Sequence, residues 1–173
     1  MNASAAFCIV ALTALSACAV QEHPVPASEQ WLTYTGQDQR PGNGKHIVLV
    51  AAEQEYRAEQ AMPMLARMLA KHHGFDCTVL FAQKDGMVDP TQKTRPEDKE
   101  MFHDIPGIEH IAKADLLILF NRFITLPDEQ IQHVIQYLDS GKPIFGIRTA
   151  NHGFSGNFPY RVNDKKVRFG EDV

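Results

Sequence analysis

The chain has 173 residues, of which 44% are hydrophobic and 22% charged, and its formal net charge is −4. This composition is typical of a globular protein and excludes a collagen-like chain, a disordered tail and a disulfide-rich miniprotein. The length fits one domain. The mildly acidic balance argues against a nucleic-acid partner, which requires a basic surface.

Residues 1–17 predict a signal peptide. They carry no charged side chain, and residues 5–17 form an apolar run shorter than the about 20 residues needed to span a bilayer. The stretch Leu15-Ser16-Ala17-Cys18 resembles the lipobox of bacterial lipoproteins, in which the Cys is lipidated. We expect a periplasmic or cell-envelope lipoprotein that contacts the membrane through its lipid anchor alone. A plain secretory signal and an uncleaved apolar N-terminus in the cytoplasm are the alternatives.

Residues 18–44 are rich in Gln, Pro, Gly and Ser, which predicts a flexible tether. Packing of Trp31 and Tyr34 on the domain is an alternative that would order part of this segment. Cys8 would leave with the signal peptide and Cys18 would be acylated, so Cys77 would have no partner. We therefore expect no disulfide and a buried structural thiol at Cys77.

Residues 45–173 read as a domain in which strands alternate with helices. Apolar runs predict strands at 46–51, 75–81, 115–120 and 143–147, and the intervening pattern predicts helices at 58–73, 108–112 and 125–141. Gly74 and Gly141 are placed to end the two longer helices. The polar residues 82–106 predict a solvated surface excursion, with a helical turn at 97–103.

Two details of the helices follow from the same pattern. In the first helix we expect Pro63 in the first turn and a buried stripe of Leu65, Met68, Leu69 and His72. In the third we expect Thr125 as the N-cap, Pro127 and Asp128 in the first turn, and a stripe of Ile131, Val134, Ile135 and Leu138.

Four strands alternating with helices predict an α/β fold with a parallel sheet covered on both faces. Ligands of such sheets bind outside the carboxyl ends of the strands, where the strand order reverses. We therefore look for functional residues directly after each predicted strand.

Polar and ionisable side chains collect at three of these strand ends. The candidate binding residues are Glu53, Glu55, Tyr56 and Arg57 after the first strand, Arg122 (between Asn121 and Phe123) after the third, and Arg148, Thr149 and Asn151 after the fourth. The forked N–H donors of Arg122 and Arg148 suit a carboxylate, a phosphate or polyol oxygens, although both could instead pair with Glu53 and Glu55. His152 is the candidate general acid or base, and a hydrogen-bonded structural histidine is the alternative.

Signals for a metal or a cofactor are absent from the sequence. No His or Cys pair has the spacing of a zinc site, and there is neither a phosphate-binding loop nor a Gly-x-Gly-x-x-Gly motif. We expect no metal and no cofactor. The sequence does not reveal the oligomeric state.

Short motifs spread over residues 45–154 match those of a known family in order and spacing. They comprise residues 47–57, 62–65, 105–107, 114–116, 122–123, 126–127 and 146–152, with Phe154. Together they resemble the ThuA-like (trehalose-utilisation) family of the class I glutamine amidotransferase-like superfamily, and more narrowly its exported branch in planctomycete-type bacteria. The resemblance implies a flavodoxin-like, three-layer parallel sheet, and residues 92–103 are longer than the corresponding family segment.

The chain departs from this family in two ways. In true amidotransferases a Cys nucleophile follows the strand that corresponds to 143–147, and the resemblance assigns that position to Arg148. Arg stays protonated and has no thiolate equivalent, so we do not expect glutamine hydrolysis by this route. Family members also continue with another strand and a His-bearing segment, so we expect the ThuA-like domain at 45–173 to be incomplete.

Three functions are compatible with these observations. The resemblance implies processing of a sugar or keto-sugar, in which His152 moves a proton while Arg122 and Arg148 stabilise negative charge. A non-catalytic module that binds a small polar, sugar-like ligand is the second. A truncated remnant, with an open sheet edge, is the third.

Overall fold

The computed structural model describes residues 30–53, 55–84, 86–91, 103–154, 160–162 and 164–167. The predicted signal peptide, Cys18 and residues 97–102 of the predicted helical turn lie outside these ranges. In chain order the elements are β1 Leu32–Tyr34, β2 His46–Ala52, α1 Ala58–Met68 with a π-helical continuation Leu69–His73, β3 Asp76–Phe81, a 3-10 helix Ile108–Lys113, β4 Leu116–Asn121, α2 Asp128–Asp139, β5 Ile144–Gly146, a 3-10 helix Arg148–His152, β6 Tyr160–Val162 and β7 Lys165–Val167.

The five-stranded main sheet has the order β1-β3-β2-β4-β5, and β6 and β7 form a separate hairpin. Strands β2 to β5 run parallel, whereas β1 is antiparallel to β3. The chain passes from β2 to β3 on one side and then returns to β4 on the other side of β2. The predicted α/β fold is confirmed, and the strand order reverses between β2 and β4.

Helices cover both faces of this sheet because side chains alternate along buried strands. On one face, side chains of β2 and β4 pack against the first 3-10 helix and α2. They are Val48, Val50, Leu117 and Leu119 of the strands and Ile108, Ile111, Ile131, Val134 and Tyr137 of the helices. On the opposite face Ile47, Leu49, Ile118 and Phe120 pack against Ala58, Met62 and Ala66 of α1. Cys77 is a free, buried thiol on this second face, and burial raises its pKa to about 12. Its predicted structural role is consistent with that burial.

Helix α1 differs from the prediction in two details. It begins at Ala58, whose N–H donates to the carbonyl of Glu53, so Pro63 lies in the second turn and not in the first. The buried residues are Ala58, Met62 and Ala66, whereas Met68 of the predicted stripe is 52% exposed and His72 is also exposed. Small alanine side chains let the helix lie close to the sheet, which leaves Leu65 and Leu69 only partly buried at its flank.

Helix α2 also begins later than predicted. Its first residue is Asp128, and Pro127 occupies the N-cap position that was predicted for Thr125. The N–H of Thr125 instead donates to Nδ1 of His103. Tyr137 takes the buried position next to Leu138, which is 41% exposed. The phenol hydroxyl of Tyr137 donates to the carbonyl oxygen of Pro143 at 2.9 Å, which gives this buried polar group its partner.

The end of the expected tether belongs to the domain. β1 pairs with β3, and Trp31 packs against the core. The side-chain amide of Gln83 donates to the carbonyl of Gln30 at 2.8 Å. The flexible tether expected over 18–44 therefore does not extend through residues 31–34, and packing of Trp31 and Tyr34 on the domain is the alternative observed. The short β1 had no signal in a Pro- and Gly-rich segment.

The base of the excursion at 82–106 is buried and not solvated. Gln83 and Asp104 form a backbone bridge, and Gln83 and His103 are 3% and 1% exposed. The N–H of His103 donates to the carbonyl of Thr125 at 2.8 Å. These bonds hold the excursion against the loop that precedes α2.

At the opposite edge from β1, the short strand β5 is uncovered. All three of its residues are exposed, and Phe145 retains 57% of its accessible surface. Within the described part of the chain, β5 pairs with β4 alone.

Candidate functional site

The carboxyl ends of β2, β4 and β5 bring most of the predicted site residues together. The N–H of Arg122 donates to Ala52 at the end of β2. The N–H groups of Phe123 and Ile124 donate to the carbonyls of His152 and Gly153, at 3.3 and 2.8 Å. These bonds hold the segments after β4 and β5 beside each other and beside the end of β2, and the strand order reverses between β2 and β4.

Glu53 lies at the centre of this edge and is completely buried. Its Oε1 accepts the N–H of Glu55 at 3.0 Å, and its Oε2 lies 3.2 Å from Oγ1 of Thr149. Burial raises the pKa of Glu53 above its usual range, against the opposing effect of Arg122, whose Nε lies 3.8 Å from Oε2. A buried carboxyl with a raised pKa holds its proton more tightly than one in water.

The hydroxyl of Thr149 has two neighbours for one proton. Its Oγ1 lies 3.2 Å from Oε2 of Glu53 and 3.0 Å from the carbonyl oxygen of Asn121, and a carbonyl can only accept. When the hydroxyl of Thr149 donates to the carbonyl of Asn121, its oxygen can accept a hydrogen bond from the protonated carboxyl of Glu53. When the hydroxyl of Thr149 donates to Oε2 of Glu53, it stabilises the ionised carboxylate. This arrangement accommodates both protonation states of Glu53.

Arg122 is committed to the two glutamates. Its Nη1 donates to Oε2 of Glu55, and its Nε faces Oε2 of Glu53. Its guanidinium carbon also lies 5.3 Å from the ring centroid of Phe123, within the range of a cation–π contact. Of the two alternatives for the arginine pair, ion pairing with Glu53 and Glu55 is therefore what Arg122 does.

Arg148 is placed differently. Its guanidinium carbon lies 3.6 Å from the centroid of the Tyr56 ring, which is van der Waals contact. Its side chain is exposed, and within the described ranges no Asp or Glu forms a salt bridge with it. The two arginines at this edge thus have different environments.

Three of the five described non-glycine residues with a positive φ lie at the same edge. Arg57, Phe123 and Arg148 have φ values of 59°, 46° and 52°, in the left-handed region that favours glycine. Each follows a different strand, β2, β4 or β5. Strained non-glycine residues cost about 1–3 kcal/mol each and cluster at functional sites.

His152 completes the arrangement. Its ring lies 4.6 Å, centroid to centroid, from the ring of Phe123, and the residue is half-buried. We call Glu53, Glu55, Tyr56, Arg122, Phe123, Arg148, Thr149 and His152 the carboxyl-edge network. The side chain of Arg57 instead lies 2.7 Å from Oε1 of Glu59 on α1, and Asn151 is solvent-exposed.

The predicted candidates did not include three residues of this region, which are Phe123, Asn121 and Gly153. Phe123 links Arg122 to His152, as described above. Asn121 is fully buried, and among the described residues its amide has no hydrogen-bond partner. The same amide leaves no room for a side chain at Gly153, because a Cβ there would lie 2.3 Å from Nδ2 and Oδ1 of Asn121. A polar residue that ends an apolar strand was the available signal for Asn121.

Comparison with protein-family models, curated proteins and solved structures gives no match. Within the described ranges, no group of three His, Cys, Asp or Glu side chains could hold a metal ion. None of the helices described is long and apolar enough to cross a membrane. The fold and the site therefore define an α/β protein with a polar, charged site at the carboxyl edge of a mostly parallel sheet.

Proposed function

We propose that this chain is a ThuA-like domain that binds a small polar, sugar-like ligand at the carboxyl-edge network. The observation that carries the proposal is the position of this network, at the reversal of strand order between β2 and β4. Open α/β sheets bind their ligands at this point. The fold alone does not fix the function, so the argument rests on the side chains of the site.

We further propose a flavodoxin-like classification for the fold. Counted along the chain, the parallel strands lie in the order second, first, third, fourth, which is the beginning of the flavodoxin-like order. Helices on both faces support the same classification. This classification and the sequence motifs at the strand ends are the two supports for the ThuA-like proposal.

The side chains of the network favour a polyhydroxylated ligand. A sugar hydroxyl both donates and accepts hydrogen bonds, and the network offers donors on Arg148 and acceptors on Glu55. Tyr56, which is 37% exposed and contacts Arg148, supplies apolar ring surface for the C–H face of a sugar. Sites for small molecules commonly combine apolar walls with a few oriented polar groups in this way.

The proposal does not include glutamine hydrolysis. The resemblance assigns the position of the amidotransferase Cys to Arg148, two residues after the end of β5. The left-handed backbone of Arg148 is compatible with the sharp turn expected there. A guanidinium cannot act as the nucleophile of this reaction.

A thermal-shift titration of the purified chain tests the proposal, with neutral sugars, sugar acids and sugar phosphates. At 100 times Kd a ligand stabilises by about 2.7 kcal/mol, or roughly 5–10 °C in Tm for a chain of this size. We expect at least one sugar to raise Tm with concentration, and Tyr56→Ala to abolish the shift. Met64→Ala, at an exposed position on α1, is the control. A panel without any effect, or an equal shift in Tyr56→Ala, would contradict the proposal.

Catalysis on the bound sugar is the second candidate function. It is favoured by His152, whose ring lies in the network, and by the raised pKa of the buried Glu53, since groups with perturbed pKa values cluster at active sites. NMR of a sugar incubated with the protein tests it. Conversion that His152→Gln abolishes, with binding retained, would support catalysis, and an unchanged sugar would leave the chain a binding module.

We also propose that the chain is exported and lipidated at Cys18. The support is the uncharged N-terminal run followed by Leu15-Ser16-Ala17-Cys18. Mass spectrometry of the protein from a bacterial envelope tests this proposal. A mature N-terminus at a diacylated Cys18 is expected, and an intact Met1 would contradict it.

A further inference from the structure

We propose that the ligand of the carboxyl-edge network carries an anionic group, a carboxylate or a phosphate, and that Arg148 is the residue that recognises it. This inference rests on the proposed function and narrows the ligand class from sugar-like molecules to acidic ones. It assigns Arg148 a role in specificity that differs from the role of Arg122.

The pairing of charges at the site separates the two arginines. Arg122 lies between Glu53 and Glu55 and forms a salt bridge with each of these carboxyl groups. Arg57 is taken by Glu59. Across the described parts of the chain, no carboxylate salt bridge is formed by Arg148. Within the described residues of this edge, Arg148 therefore carries a positive charge that an anionic ligand can pair with.

The contact with Tyr56 holds this charge in position. With its central carbon 3.6 Å from the ring centroid, the guanidinium lies against the face of the aromatic ring. A guanidinium that stacks on an aromatic ring uses its flat face for that contact, and the N–H groups at its rim can still donate hydrogen bonds. A guanidinium held in this way loses less conformational freedom when it binds an oxyanion. Both carboxylate and phosphate match its forked donors.

The backbone supports the same assignment. Arg148 has a φ of 52°, a conformation that is strained for any residue with a Cβ. The neighbouring Thr149 is buried and lies within hydrogen-bond distance of Glu53 and Asn121, which fixes the turn. Arg148 is thus held on the outer side of a turn whose next residue is anchored in the core.

Binding constants for glucose, glucuronate and glucose 6-phosphate, measured by calorimetry on the full chain, test the inference. We expect at least one acidic sugar to bind more tightly than glucose, and the two acids separate a carboxylate from a phosphate ligand. Arg148→Gln should weaken binding of the preferred acid on the order of 10- to 100-fold, which is the usual effect of losing hydrogen bonds to a charged group. Glucose binding should weaken by a smaller factor than binding of the preferred acid, and Arg148→Lys should recover part of the loss of acid binding.

Arg67→Gln is the control for the loss of one positive charge, because Arg67 is exposed in the last turn of α1, away from the carboxyl edge. It should leave all three constants unchanged. Equal binding of glucose and both acids would overturn the inference while leaving the proposed function intact. An equal loss of glucose and acid binding in Arg148→Gln would also overturn it, since Arg148 would then act on the fold of the site. If none of the three binds, both the inference and the sugar-like ligand class fail.

Discussion

Oγ1 of Thr149 lies 3.2 Å from Oε2 of Glu53, although 96 positions separate the two residues in the sequence. The contact joins the segment after β2 to the turn after β5, across the end of β4. Glu53 is fully buried and Thr149 nearly so. The candidate site is therefore anchored in the core of the sheet, while Glu55, Tyr56 and Arg148 remain exposed above it.

Glu53→Gln should change how stability depends on pH. Burial raises the pKa of Glu53 above 4.5, so at pH values just above 4.5 the unfolded chain releases this proton while the folded chain keeps it. The stability of the wild type therefore falls as pH rises through this window. Gln does not titrate and approximates the neutral carboxyl in shape. Below pH 4.5 the variant and the wild type should have the same free energy of unfolding. As pH increases, the variant should become more stable than the wild type, as measured by urea unfolding.

Glu109→Gln, at an exposed position, controls for the loss of a carboxylate in this experiment. A difference between wild type and Glu53→Gln that is constant with pH would contradict the raised pKa. A wild type that gains on the variant with rising pH would show that attraction to Arg122 outweighs burial.

His103 should make stability depend on pH in the opposite direction. Burial lowers its pKa to about 4 from the usual 6.5, so the unfolded chain takes up a proton between these values while the folded chain does not. Stability is lost as pH falls from 6.5 to about 4, by up to about 3 kcal/mol. The unfolding free energy of His103→Gln should not show this decrease as pH falls. The exposed variant His73→Gln should retain it, and a wild type with the same pH profile as His103→Gln would contradict the assignment.

Gly107→Ala and Gly141→Ala form a matched pair that tests the docking of the N-terminal segment. Both glycines have positive φ, so each substitution should cost about 1 kcal/mol in strain. A Cβ at Gly107 would lie 2.8 Å from Cε3 of Trp31, whereas the space at Gly141 is open. Trp31 is the only tryptophan. Its emission should shift to longer wavelength in Gly107→Ala alone, and identical spectra for the two variants would contradict the contact.

Phe145→Ala and Phe120→Ala test the exposed edge at β5. Phe120 is 6% exposed, so its truncation should cost about 3–5 kcal/mol. Phe145 is 57% exposed on a short edge strand, and its truncation should cost about 1 kcal/mol or less. Chemical denaturation measures both values. A large loss of stability in Phe145→Ala would contradict the uncovered position of this side chain.

Much of the fold was predictable because buried parallel strands are continuous apolar runs. His46–Ala52 and Leu116–Asn121 were recognised in this way to within one residue at either end. Gly74 and Gly141 marked the helix ends correctly, since both have positive φ. β1 was missed as a strand because three residues in a Pro- and Gly-rich segment carry too little pattern, and its stability comes from pairing with β3.

The composition of the site was easier to predict than its geometry. The rule that parallel strands present their carboxyl ends at one edge identified Glu53, Arg122 and Arg148 as candidates. The sequence could not distinguish the two arginines, because pairing with Glu53 and Glu55 depends on the order of strands. The left-handed backbone of Phe123 and Arg148 was equally hidden, since neither residue is a glycine or an asparagine.

The most direct test of the account is a ¹H–¹⁵N NMR titration of the chain with glucuronate and glucose 6-phosphate. The account predicts that the largest shift changes fall on the amides that follow β2, β4 and β5, including Tyr56, Arg122 and Arg148. The amides of His46 and Asp115, at the amino end of the sheet, should stay unchanged. Shift changes centred on that opposite end, or none with either sugar at millimolar concentration, would contradict it.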